Sequence, residues 1–159
     1  MPSTSQRPPY ESYAAIMGTF GGLLGAAGAV GRLQGRDPQC QTALDFAVLS
    51  LASYKAARTL ARDEVTSFVR EPFVRGHAHE GEGEEPVEGG MHQAIGELVT
   101  CTRCIGTWTA AGLACTQILA PRFGRLLTWS FAAAGANDFL QAAFSALASK
   151  ANELEERAG

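Results

Sequence analysis

Residues Ser12 to Gly31 read SYAAIMGTFGGLLGAAGAVG and give the clearest indication of the fold. It contains no charged residue, and charges bound it on both sides at Glu11 and Arg32. At about 1.5 Å of rise per residue, a helix of this length crosses a hydrocarbon core of roughly 30 Å. A cleaved signal peptide is the poorer interpretation, because no strongly basic segment precedes the run and no clear small-x-small cleavage site follows it. The stretch therefore predicts a transmembrane helix.

Two further runs repeat this pattern toward the C-terminus. Residues 104–121 carry no charge, and residues 126–149 are interrupted only by Asp138. We expect an all-α fold, a polytopic membrane helical bundle with three to four transmembrane helices. The alternative is a buried helical hairpin in a soluble bundle. The predicted organisation is a disordered N-terminus at 1–11, a single membrane domain at 12–149 and a polar tail at 150–159, with spans near 12–31, 99–120 and 126–148 and an uncertain span at 43–60.

The uncertain segment, residues 43–60, mixes apolar and charged residues. Its first half is membrane-like, whereas three basic residues at its end, beginning with Lys55, fall within about 60° of one another on a helical wheel. Either the segment spans as a short helix whose basic end emerges at the surface, or it lies along the interface. Thr42 and Asp45 have the spacing of a capping box, which predicts a helix start near residue 43.

The length, charge and cysteine content of the chain argue against several classes of protein. The chain has 159 residues, of which 46% are hydrophobic and 18% are charged. Its mean hydropathy of -0.01 averages apolar runs with an acidic loop at 71–92. The length excludes a multi-domain enzyme, and a net charge of -3 argues against nucleic-acid binding. Four cysteines are too few for a disulfide scaffold.

Lysine and arginine predict the orientation in the membrane. Whether or not residues 43–60 span, more positive residues fall on the side that holds the loop 71–92 and the C-terminal tail. Because positive residues in short loops stay on the cytoplasmic side, we expect both segments in the cytoplasm. The expected location is a bacterial inner membrane, with membrane lipids around the helices.

Glycines in the first run predict close helix packing. Gly18, Gly22 and Gly25 contribute to small-xxx-small spacings, which let membrane helices approach each other. Gly106 and Trp108 are predicted packing positions on the third run. The pattern favours a homo-oligomer, or a partner membrane or cytoplasmic protein, over a lone anchor. The alternative is compositional drift in an alanine-rich helix.

A C-x-x-C pair, Cys101 and Cys104, precedes the third run. If the helix is continuous, Glu97 and Trp108 share a face with both thiols. Such a pair forms a redox disulfide, supplies two ligands to zinc or an iron–sulfur cluster, or only packs. Two more metal ligands would come from His92 and Glu97 or from a second copy of the chain. The three alternatives stay open, and no resident cofactor is expected.

Asp138 is a carboxylate inside the last uncharged run. Such residues usually face the interior of a bundle and have a partner, which Lys55 or Arg58 would supply. The alternative is a helix break near Gly135 that lets the acid reach water. No Ser/His/Asp order, phosphate-binding glycine loop or HExxH motif is present, so a non-catalytic role is favoured over an enzyme.

Three stretches resemble a bacterial family known only as domain of unknown function 1360. They read KAARTLARDEVTSFVREPF at 55–73, ELVTCTRCIGTW at 97–108 and NDFLQ at 137–141. The resemblance covers roughly residues 43–146 and departs from the family pattern at Thr102 and Arg103. It implies an integral membrane protein and no assigned activity.

Overall fold

The computed structural model describes residues 8–36, 41–76 and 83–158, and most of these residues are helical. In chain order the elements are α1 (Tyr10–Leu33), α2 (Ala43–Arg62), a 3-10 turn (Glu64–Thr66), α3 (Ser67–Arg70), a second 3-10 turn (Glu71–Phe73), β1 (Val74–Arg75), β2 (Glu85–Pro86), α4 (Gly90–Thr100), α5 (Thr102–Leu119) and α6 (Pro121–Ala158). The predicted all-α fold class is confirmed.

Helix α2 begins where its capping residues predict. The Thr42 hydroxyl accepts the backbone N–H of Asp45 at 3.2 Å, and the Asp45 carboxylate accepts the backbone N–H of Thr42 at 2.9 Å. This reciprocal pair satisfies amide groups that the first helical turn leaves without partners. The start of α2 at Ala43 confirms the prediction.

The four long helices α1, α2, α5 and α6 form the body of the fold. Helices α2 and α5 are antiparallel, and the Thr109 hydroxyl of α5 donates to the Ser53 carbonyl of α2 at 3.1 Å. Helix α6 runs parallel to α2. Leu51 of α2 contacts Gly135 of α6, and about one turn further along both helices Lys55 pairs with Asp138. Helix α1 lies along α5 in the same direction.

A small cap, residues 63–76 and 83–100, closes one end of the four helices. Strands β1 and β2 pair antiparallel, with Val74 opposite Pro86. Gly96 of α4 lies so close to this pair that an added Cβ would come within 2.5 Å of the Phe73 carbonyl oxygen. The loop predicted at 71–92 therefore has regular structure at both ends, because backbone pairing and close packing hold its flanks. Residues 77–82 lie outside the described residues.

The distribution of large and small side chains is inverted relative to a water-soluble bundle. The buried hydrophobic residues are mostly alanines, among them Ala52, Ala56, Ala57, Ala61, Ala94 and Ala132. Large apolar side chains lie outside, among them Leu23, Phe46, Leu126, Trp129, Phe139 and Phe144. Small residues at helix contacts and large apolar residues on the exterior are typical of helices that pack in lipid.

Among the described residues, α1 is the one helix long and apolar enough to cross a membrane by length and composition alone. A signal sequence or the core helix of a soluble protein satisfies the same criteria. Only Gly31 of α1 is buried, so α1 is not a core helix of this fold. The expected total of three to four spans stays a prediction.

One predicted helix is divided in the structure, and another is longer than its predicted span. The single helix expected over 99–120 is broken at Cys101, whose extended backbone (φ -95°, ψ 105°) separates α4 from α5. The Cys101 sulfur accepts the backbone N–H of Cys104 at 3.4 Å and so caps α5. In contrast, α6 does not break near Gly135 and continues through the predicted polar tail, where Glu153 pairs with Lys150 and Arg157. The first seven residues of the predicted N-terminal segment lie outside the described residues.

Candidate functional site

An ion pair joins the middle of α2 to the middle of α6. Lys55 Nζ lies 2.8 Å from Asp138 Oδ2, and their side chains are 20% and 35% exposed. Of the two cations considered for Asp138, the structure brings Lys55 to the carboxylate. Arg58 is elsewhere, with its guanidinium 3.5 Å from the Tyr54 hydroxyl. A half-buried pair between two helices fixes their register, because separating the charges would leave each one poorly solvated.

The thiol pair lies at the junction of α4 and α5. Cys104 Sγ donates to Cys101 Sγ at 2.7 Å, and the backbone N–H of Cys104 donates to the same sulfur. Both cysteines are free. Two donors and a helix N-terminus favour negative charge on the Cys101 sulfur, which is the arrangement that makes a thiol nucleophilic.

Glu97 and His92 have partners other than the thiols. The Glu97 carboxylate accepts from the Tyr13 hydroxyl of α1 and from the Gln93 side chain at 2.9 Å. The His92 ring lies 5.8 Å from the Phe73 ring, centroid to centroid. Within the described part of the chain, no three His, Cys, Asp or Glu side chains come together as a metal site would need. A zinc or iron–sulfur site within one chain therefore has no assembled ligand set among these residues.

An apolar groove runs between α1 and the start of α5. Trp108 contacts Phe20 with ring centroids 4.9 Å apart, and the groove of about 480 Å³ also reaches Glu97 and Cys104. The break at Cys101 prevents one continuous helical face, yet Glu97, Cys104 and Trp108 still border the same space. Toward the other end of α1, a second, smaller groove lies between Leu24 and Cys115.

The predicted packing glycines of α1 face open space in this single chain. An added Cβ at Gly18, Gly22 or Gly25 would meet no atom within 4 Å. Gly106 lies against α2, where an added Cβ would be 3.9 Å from the Ala57 Cβ.

Close approach occurs instead at glycines that the sequence pattern did not single out. An added Cβ at Gly124 would lie 2.5 Å from backbone atoms of Thr116 and Gln117, and one at Gly135 would lie 3.1 Å from Leu51. These glycines set the α5–α6 turn and the α2–α6 contact. Their only sequence signal is a glycine inside a helical run, which many positions share.

Arg70 is the most deeply buried charge of the described chain and was not predicted as a site residue. Its side chain is 1% exposed, and Nε and Nη2 donate to the two Glu84 oxygens at 2.6 and 2.9 Å. Nη1 donates to the carbonyls of Leu60 and Asp63 and to the Thr66 hydroxyl. Arg70 thus ties the C-terminal end of α2 to the cap by a bidentate pair, the geometry to which arginine is best suited.

Comparisons with known proteins give a family without an assigned activity. Residues 48–144 match the model of a family described as "Protein of unknown function (DUF1360)". The matched region begins within α2 and so excludes α1. No solved structure matches the chain.

Two proteins of Bacillus subtilis (strain 168) are similar to the chain. The UPF0713 protein YngL is 29% identical over 106 residues, which cover 63% of this chain and 78% of YngL. The sporulation protein YjcA is 31% identical over 103 residues, which cover 58% of this chain and 83% of YjcA. Since the family model covers more than half of its residues, the chain belongs to the DUF1360 family of proteins of unknown function.

Proposed function

We propose that the chain is a polytopic protein of the bacterial inner membrane that serves as a non-catalytic structural or assembly subunit. The observation that carries this proposal is the inverted distribution of side chains, with alanines inside and large apolar residues outside. Water would make so much exposed apolar surface unfavourable, whereas lipid would not. In this proposal the spanning helices are α1, α2, α5 and α6. The polar residues of α2, α5 and α6 must then face the bundle interior.

The ends of the four helices support the orientation predicted from charge. The first turns of α1, the C-terminal end of α2 and the start of α5 meet at the cap, which the Tyr13–Glu97 hydrogen bond joins to α1. At the opposite end, Arg36 donates to the Leu119 carbonyl. The arginines at that end are Arg32, Arg36, Arg122 and Arg125. The cap end holds more cations, which favours placing it in the cytoplasm.

The outward face of α1 supports an assembly role. Phe20 and Ala27 line the groove shared with α5, whereas Gly18, Gly22 and Gly25 are on the opposite side at about 180°, taking 100° per residue. This glycine face meets no atom of the chain itself. In a membrane such a face suits close contact with a second helix, from another copy or from a partner.

The assembly role is tested by enlarging the glycine face. Wild-type protein cross-linked in membranes and sized in mild detergent is expected to form a complex larger than one chain, and Gly18→Leu/Gly22→Leu should reduce it to the monomer. The matched control, Ala142→Leu/Ala146→Leu on exposed positions of α6, should leave the complex intact. A wild-type chain that is monomeric in the membrane and copurifies with no partner would contradict the proposal.

A second candidate function is thiol exchange at Cys101 and Cys104, favoured by their Sγ–Sγ distance of 2.7 Å. In this reaction the two thiols form a disulfide while a disulfide of a partner protein accepts the two electrons and two protons. Purified protein would lose two titratable thiols on treatment with a small disulfide and regain them with reductant. Equal thiol loss in wild-type protein and Cys101→Ser/Cys104→Ser would remove this candidate.

A further inference from the structure

Another groove, bounded by α2 and the start of α5, is rich in arginine. It has a volume of about 730 Å³ and lies between α2 and the start of α5, beside the cap. We call it the arginine groove. Its lining residues are Ser50, Ser53, Tyr54, Ala57, Arg58, Arg62, Thr102, Arg103 and Gly106.

Within the described part of the chain, no carboxylate neutralises the charges in the arginine groove. Among the residues the structure describes, none of the guanidinium groups of Arg58, Arg62 and Arg103 has a carboxylate within 4.0 Å. Arg58 donates to the Tyr54 hydroxyl at 3.5 Å. Three like charges around one groove repel one another, so a bound anion would lower the electrostatic energy of this end of the fold.

The lining has two chemically different parts. Arg62 and Arg103 lie at the cap end, where α2 ends and α5 begins. Ser50 lies 12 positions before Arg62 on the same helix, which corresponds to about 18 Å along the axis. The groove therefore runs from a cationic end to an uncharged end, where the Ser50 and Ser53 hydroxyls donate to backbone carbonyls of α2 itself.

We infer that the arginine groove binds the phosphate headgroup of an anionic phospholipid. Guanidinium groups bind phosphate through paired, charge-assisted hydrogen bonds, and the uncharged part of the groove leaves room for the rest of the lipid. The length of the groove argues for a lipid over free phosphate, which would occupy the arginine end alone. Basic pockets between membrane helices on the cytoplasmic side are suited to such headgroups. This inference rests on the membrane placement proposed above.

The test is native mass spectrometry of the full chain in detergent with equal amounts of phosphatidylglycerol and phosphatidylcholine of the same acyl chains. Wild-type protein is expected to retain phosphatidylglycerol about tenfold more than phosphatidylcholine. Arg58→Gln/Arg62→Gln/Arg103→Gln should lose this preference. The control Arg32→Gln/Arg122→Gln/Arg125→Gln removes the same charge at the opposite end and should keep it.

Arg103→Lys gives a second test that preserves charge at an exposed position. It should lower the preference by part of the tenfold effect, because lysine lacks the planar fork of arginine. Equal retention of both lipids by wild-type protein, or loss of preference in the control variant, would overturn the inference. Inorganic phosphate that abolishes lipid retention at millimolar concentration would assign the groove to the free ion and overturn the lipid source. Carbonate washing of membranes tests insertion separately, so failure of the inference and failure of membrane placement can be distinguished.

Discussion

At the scale of single residues, the contact between Lys55 and Asp138 carries the register of α2 against α6. Asp138→Ala leaves the Lys55 ammonium half-buried without its partner. Since both side chains keep some exposure, we expect a loss of about 1–3 kcal/mol in the free energy of unfolding, below the cost for a fully buried pair. Thermal unfolding in detergent measures it.

Two variants separate a lost pair from general disruption. Lys55→Met/Asp138→Leu removes both charges and should recover most of the loss, because apolar residues of similar volume replace the pair. Lys150→Ala breaks an exposed pair with Glu153 on α6 and should change stability little. A double variant as unstable as Asp138→Ala would argue against the pairing explanation.

Arg70 gives a prediction confined to the cap. Arg70→Met removes the bidentate partner of Glu84 and the donor to three backbone or hydroxyl oxygens, at a cost of about 3 kcal/mol. Hydrogen exchange should accelerate across the cap, residues 63–76 and 83–100, and stay slow in α5 and α6. Arg75→Met, an exposed arginine in the same segment, is the control and should exchange as wild type. Faster exchange throughout the chain would show that the cap is not a separate unit.

How readily a charged residue can be singled out from the sequence depends on how few charges surround it. Asp138 is conspicuous because it interrupts an uncharged run, and few cations were available to pair with it. Arg70 lies among many charges, and its partner Glu84 belongs to an acidic stretch whose members cannot be told apart by spacing. Arg70 differs from the surrounding charges in being buried. That burial exists only once the cap packs over the end of α2.

At the scale of elements, glycines fall into two groups that predict opposite effects of the same substitution. Gly124→Ala would force a Cβ against the backbone of the α5–α6 turn and should cost about 3 kcal/mol. Gly25→Ala adds a methyl group in open space and should leave stability unchanged or raise it by up to about 1 kcal/mol, since alanine favours the helix. Unfolding midpoints in a detergent that keeps the chain monomeric compare the two. Equal destabilisation by both variants would contradict the described α5–α6 contact.

Helix positions followed from charge-free runs and capping residues, whereas helix breaks did not. The start of α2 was readable from Thr42 and Asp45, because a capping box is local. The break at Cys101 depends on a sulfur that caps α5 and on α4 packing against the cap, which are not visible in hydrophobic periodicity. The strands flanking residues 77–82 were missed for a related reason, since two-residue strands have no repeat to detect.

At the scale of the whole molecule, average composition does not reveal where the apolar side chains lie. The mean hydropathy of -0.01 is that of an ordinary soluble protein, and only α1 satisfies a length and hydropathy criterion for a span. The structure shows that alanines, Arg70 and the Lys55–Asp138 pair lie toward the interior. Large apolar residues lie on the exterior. The activity was not predictable, because the C-x-x-C pair is compatible with several roles and the family has no assigned activity.

The central claim is that α5 and α6 cross the membrane with the cap on the cytoplasmic side, and thiol labelling in intact cells tests it most directly. On a background in which Cys40, Cys101, Cys104 and Cys115 are serine, one cysteine is placed at Ala120 in the α5–α6 turn or at Gly83 in the cap. A membrane-impermeant maleimide should label Ala120→Cys in intact cells and Gly83→Cys only after the inner membrane is opened. Labelling of both only after the membrane is opened, or of Gly83→Cys in intact cells, would contradict the account.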